Sequence, residues 1–115
     1  MPKKDVDLTL SVKKTGAIKV TVQPFRRHLD KNNGDTVQFN PQGDVTRAEV
    51  RFTASQWPFT GPNKVLKGSG PFSSPPIDPS MNDGDVSKYK ITLYFDDFAG
   101  VERSVEIDPD MVINT

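Results

Sequence analysis

Residues 89–95 read Tyr89-Lys90-Ile91-Thr92-Leu93-Tyr94-Phe95. Apolar side chains stand at every second position, the period that turns one face of an extended strand to a core and the other to water. The turn residues Asp96-Asp97-Phe98-Ala99-Gly100 follow, and Val101, Arg103, Val105 and Ile107 restart the alternation, so the spacing predicts an antiparallel hairpin. Nearer the N-terminus, Val6, Leu8, Leu10 and Val12 alternate with Asp7, Thr9 and Ser11. Lys13-Lys14-Thr15-Gly16 breaks that run and Ile18, Val20 and Val22 resume it, a second hairpin. Phe25 and Leu29 extend it weakly.

Asn32-Asn33-Gly34-Asp35 is the sharpest turn signal, because Asn and Gly tolerate the positive φ of tight turns. Val37 and Phe39 form a short strand that Pro41-Gln42-Gly43-Asp44 ends. Ala48, Val50 and Phe52 alternate with Arg47, Glu49 and Arg51 until Pro58. Residues 61–85 hold five prolines, four glycines and four serines, an excursion pinned by Val65, Leu66, Phe72 and Ile77, with one short strand near 64–67. Met111, Val112 and Ile113 close the chain after Asp108-Pro109. No run of ten residues has helical period. The pattern predicts an all-β fold, one domain over residues 1–115: a two-sheet antiparallel Greek-key β-sandwich of seven to eight strands.

Composition narrows the chemistry. The 115 residues suit a single core. Fifteen basic and fifteen acidic side chains cancel, so no net field favours nucleic acid or an anionic membrane. The halves differ: residues 1–57 carry ten Lys/Arg against six Asp/Glu, and residues 58–115 five against nine. If the halves formed separate faces, the domain would be dipolar. With no cysteine, disulfides and thiolate metal sites are excluded. Lys3 and Lys4 are followed by no apolar run of signal-peptide length, which predicts a soluble cytoplasmic protein.

The segment Val20–Asn40, a proline-led strand running into a Gly-Asp turn and a strand that ends near Asn, resembles the opening of cupredoxin-like domains. Ala48–Phe52 and Tyr89–Phe95 follow in similar order. Much of this grammar is shared with immunoglobulin-like domains, so the resemblance implies a cupredoxin-like or immunoglobulin-like sandwich. The copper ligands of that family are missing: Ala48 and Glu49 stand where a His belongs, and no Cys or His follows Phe95. A blue-copper centre needs two imidazoles and a thiolate, which the single imidazole of His28 cannot replace. No cofactor is therefore expected.

Three constellations remain. Trp57-Pro58-Phe59 heads the long excursion; Trp57 and Phe59 on a loop would be binding anchors, and the alternative is that Trp57 plugs one end of the sandwich. Arg26, Arg27 and His28 cluster with Lys31 and could grip phosphate, although nucleic-acid binding would want exposed aromatics among the positives. Asp96, Asp97 and Asp108, with Asp110, could ligate Ca²⁺ or act as an acid/base pair, while Asp is also a common turn residue. No nucleophile elbow, phosphate loop, zinc spacing or dinucleotide fingerprint is present. The reading is a non-enzymatic binding or accessory module that meets an unknown protein or small ligand through loops. Its alternative is a carboxylate-dependent hydrolase of a glycan or phosphate ester.

Overall fold

The computed structural model describes residues 3–62 and 64–114, and the chain is mostly strand with almost no helix. Its elements in order are β1 (Lys3–Val12), β2 (Ile18–Gln23), β3 (Arg26–Asp30), β4 (Thr36–Gly43), β5 (Val45–Arg51), β6 (Val65–Gly68), β7 (Phe72–Ser73), β8 (Val86–Lys88), β9 (Lys90–Asp96), β10 (Glu102–Ile107) and β11 (Asp110–Asn114). Two 3-10 turns, Lys31–Asn33 and Ala54–Gln56, interrupt them. No helix among the described residues is long and apolar enough to cross a membrane.

Among the described residues the strands form three hydrogen-bonded sheets, ordered β2-β1-β4-β7, β10-β9-β5-β6 and β3-β11-β8. Both predicted hairpins are present, with Leu10 opposite Val20 and Leu93 opposite Val105. The expectation of seven to eight antiparallel strands is too simple in two respects. β1 runs parallel to β4, and β3 parallel to β11, pairings between strands far apart in sequence that local periodicity cannot report. The weak run at Phe25 to Leu29 leaves the hairpin and joins the C-terminal strand in the third sheet.

β4 also continues through Pro41, where an end was expected. β7 covers only Gln38 and Phe39, so Pro41 lies where one side of β4 is an open edge and its missing N–H is tolerated. Of the four expected pins of the excursion, Leu66 and Ile77 lie in the core and Val65 and Phe72 are partly buried, with β6 paired to β5 and a bridge between Phe59 and Ile77.

All three sheets feed one core. Val6, Leu8 and Leu10 of β1, Val37 and Phe39 of β4, Val50 of β5 and Ile91 and Leu93 of β9 are fully buried, as are Leu29, Met111 and Ile113 of the third sheet. The basic and acidic halves of the sequence interleave instead of forming opposite poles. Arg26 pairs with Asp110 and Arg47 with Glu102, each bond joining one half to the other.

Gly43 fixes the junction of β4 and β5. Its φ of +69° is left-handed, and a Cβ there would lie 2.5 Å from the Leu10 carbonyl oxygen. Gly16 is also left-handed, at +88°, but faces open space. Gly43→Ala should therefore cost about 2–3 kcal/mol and Gly16→Ala about 1 kcal/mol in chemical denaturation, since only the first adds a backbone clash to φ strain. Equal losses would show that the clash relaxes freely.

Candidate functional site: an apolar cleft with a cationic rim

At the end of β5 the chain turns off the sheet, and Phe52 enters the core while its N–H donates to the Lys64 carbonyl at 3.0 Å. The 3-10 turn after Thr53 carries Gln56, whose Oε1 accepts the Lys88 N–H at 2.9 Å and so ties this turn to β8. The Tyr89 N–H donates to the Pro109 carbonyl at 3.2 Å. These bonds hold open a cleft of about 520 Å³ lined by Arg51, Phe52, Thr53, Gln56, Lys88, Tyr89, Lys90 and Asp108. Its wall is mostly carbon, and its size falls in the ordinary range of ligand pockets.

The floor is aromatic. Phe52 stacks on Tyr89 with centroids 4.9 Å apart, and Trp57 meets Phe52 edge-on at 5.3 Å. Strand alternation explains the rim: Tyr89 points in like Ile91 and Leu93, so Lys88 and Lys90 point out on either side of it. Arg51 reaches back to Glu49 in an ion pair, and Lys90 to Glu106 at 3.4 Å. Lys88 makes no ion pair among the described residues. The rim of the apolar floor thus carries two cations already paired with carboxylates, Arg51 and Lys90, together with Lys88 and the carboxylate of Asp108. Burial pushes the Tyr89 phenol well above its ordinary pKa, with Asp110 adding to the shift, so it remains neutral. Its hydroxyl has no hydrogen-bond partner among the described residues.

Of the residues singled out from sequence, only Asp108 lines this cleft. Trp57 and Phe59 are inside, 9% and 1% exposed, packed edge-to-face at 5.1 Å, and the Trp57 Nε1–H donates to the Gly61 carbonyl at 3.0 Å. They are not surface anchors; they form the layer behind the cleft floor. Arg26, Arg27 and His28 do not make one cationic patch, because successive side chains of β3 alternate faces. Arg26 is held bidentately by Asp110 at 2.8 and 3.0 Å, which lowers the Asp110 pKa, while Arg27 lies opposite the buried Met111. His28 is exposed opposite Val112.

The carboxylates are likewise dispersed. Asp97 is a turn residue: its Oδ1 accepts the Ala99 and Val101 N–H groups at 2.9 Å and its Oδ2 the Arg103 Nε–H at 3.0 Å. The Val101 bond, then Arg103, holds its pKa below the usual carboxylate range. Asp96 pairs in register with Glu102, whereas Asp108 follows Ile107 at the other end of β10, roughly 20 Å away at about 3.3 Å per residue. Asp96, Asp97 and Asp108 therefore share neither an ion nor a proton relay, and no group of three or more acidic or His side chains among the described residues is placed to hold a metal.

Sequence reasoning missed Arg51, Lys88 and Lys90. The signal was present in Arg51-Phe52 and Lys88-Tyr89-Lys90, positives set directly beside aromatics, but the two segments are distant in sequence and meet only through β5–β9 pairing. Compared with known proteins, the chain matches no family model, no curated sequence and no solved structure.

Proposed function

We propose that this domain is a non-enzymatic binding module whose cleft takes a small anion with an apolar body, such as an aryl or acyl carboxylate or phosphate. The observation that carries this reading is the juxtaposition of Arg51, Lys88 and Lys90 with the Phe52/Tyr89 floor. The apolar part of such a ligand would be removed from water at roughly 25 cal/mol per Å² buried, and the cations would select its charged end. The lining offers Asp108 as its single carboxylate and no imidazole, a set suited to holding a ligand more than to splitting one. The finer architecture belongs to the same reading: a Greek-key sandwich of cupredoxin-like or immunoglobulin-like type without copper ligands, in which β3-β11-β8 completes one layer. Leu29, Met111 and Ile113 support it by joining the common core.

The test uses an anilinonaphthalene sulfonate dye as the probe. Saturable one-to-one binding is expected, weakening with added salt. Lys88→Glu combined with Lys90→Glu should reduce affinity by roughly ten- to a hundredfold, the effect of about 1–3 kcal/mol of lost attraction near a protein surface. Thermal melting should fall only slightly, because both side chains are exposed and the Lys90–Glu106 pair that is lost is a solvent-exposed one. A control, Lys67→Glu on β6 outside the cleft, should bind as the parent does. Binding that ignores the double reversal would overturn the assignment.

A further inference from the structure

The two larger sheets end, on one side of the molecule, in strands bonded on a single edge: β2 to β1, and β10 to β9. Free strand edges expose unpaired N–H and C=O groups and are usually guarded. β10 is guarded. Arg103, opposite the buried Phe95 and hence on the core side, places a charge at the edge, and Glu102 and Glu106 flank it. β2 carries no proline, no glycine and no inward charge. Its core-side row is Ile18, Val20 and Val22, which stay partly exposed while their β1 neighbours Leu10 and Leu8 are fully buried. Both ends of this strand also carry exposed apolar side chains. Ile18 shares a groove with Phe98, which is 64% exposed, and Phe25, 53% exposed, lies just beyond Gln23.

We infer that β2 is a self-pairing edge, and that two copies of the chain join antiparallel through it about a two-fold axis at Val20. In this register Val20 lies opposite Val20 of the second copy and Ile18 opposite its Val22, so the core-side row is apolar throughout. Shifting the register by two would set Ile18 against Pro24 and lose that match. Antiparallel pairing also carries Phe25 of each copy toward the Ile18/Phe98 groove of the other, covering both patches twice.

Charges agree on the solvent side. Lys19 makes no ion pair among the described residues and faces Thr21 and, diagonally, Gln23 of the second copy. Gln23 lies beside Asp7, whose carboxylate accepts the Asn40 amide N–H and makes no ion pair among the described residues. Lys19 and the second copy's Asp7 lie roughly 12 Å apart in this register, opposite in sign but largely screened from each other. The like-charge approach of Lys14 to Arg26 is relieved because Asp110 neutralises Arg26. A short strand alone falls below the roughly 1,000 Å² that a stable interface buries, so the inference requires the flanking Phe25 and Phe98 to add contact area.

Sedimentation equilibrium of the full chain should show a concentration-dependent dimer. Ile18→Lys, which puts a charge on the core side of this edge, and Phe98→Ser should each weaken it by about tenfold or more without lowering the monomer's melting temperature. Because the chain has no cysteine, Val20→Cys reports the axis directly: its thiols should oxidise to a disulfide-linked dimer, whereas Glu106→Cys on the guarded edge should not. A monomer at every concentration, including one whose Phe98 binds anionic vesicles or another protein instead, would overturn the inference. So would a dimer indifferent to Ile18→Lys, or equal cross-linking at both positions.

Discussion

Trp57→Ala is expected to cost about 3–5 kcal/mol, the range for truncating a large buried aromatic, and so to remove much of the stability of a domain whose total is about 5–15 kcal/mol. Trp57 is 9% exposed, makes edge-to-face contacts with Phe52 and Phe59, and donates its indole N–H to Gly61. Truncation therefore opens a cavity and leaves the Gly61 carbonyl without that donor. Trp57→Phe should recover most of the loss, because it refills the volume and forfeits mainly the hydrogen bond. The single tryptophan makes the site readable by fluorescence: blue emission that resists aqueous quenchers in the native chain, red and quenchable on unfolding. Native emission at the red limit, with melting unaltered by Trp57→Ala, would return this side chain to the surface.

Phe52→Ala should match or exceed that loss, again about 3–5 kcal/mol. Phe52 is the hub of the aromatic layer, stacked on Tyr89 and edge-on to both Trp57 and Phe59. It also forms the cleft floor, so the same substitution should weaken binding of an apolar anion as well as the fold. Since the two rings share partners, the double variant Phe52→Ala/Trp57→Ala should lose less than the sum of the single losses, by about 0.5–3 kcal/mol. Strict additivity, measured by urea denaturation of all four proteins, would mean that the rings do not act as one layer.

What could be read in the sequence follows the range of the physics involved. Alternation is a property of neighbours, and it located β1, β2, β5, β9 and β10 together with the side chains they bury: Leu8, Leu10, Val50, Ile91 and Leu93. The Asn33-Gly34 turn is likewise local, with Gly34 in the left-handed conformation at φ 65°. The parallel pairings were illegible because a parallel partner is chosen by the whole sheet. β8, three residues long, is too short for a period to show. Residues attractive by type misled for a related reason. An Asp-Asp dipeptide resembles a catalytic pair until the register shows Asp97 capping a turn, and Trp57 resembles an anchor until Phe52 and Phe59 are seen around it. The cleft needed two segments brought together, and each alone reads as ordinary strand.

The most direct test of the binding assignment is backbone amide NMR of the full chain titrated with the sulfonate probe. Shift changes should concentrate at Arg51, Phe52, Thr53 and Gln56 on one segment and at Lys88, Tyr89, Lys90 and Asp108 on the other, the Lys88 amide moving in concert with Gln56, which accepts its hydrogen bond. Changes confined to the hairpin tips at 13–18 and 97–101, or spread evenly over the surface, would contradict it.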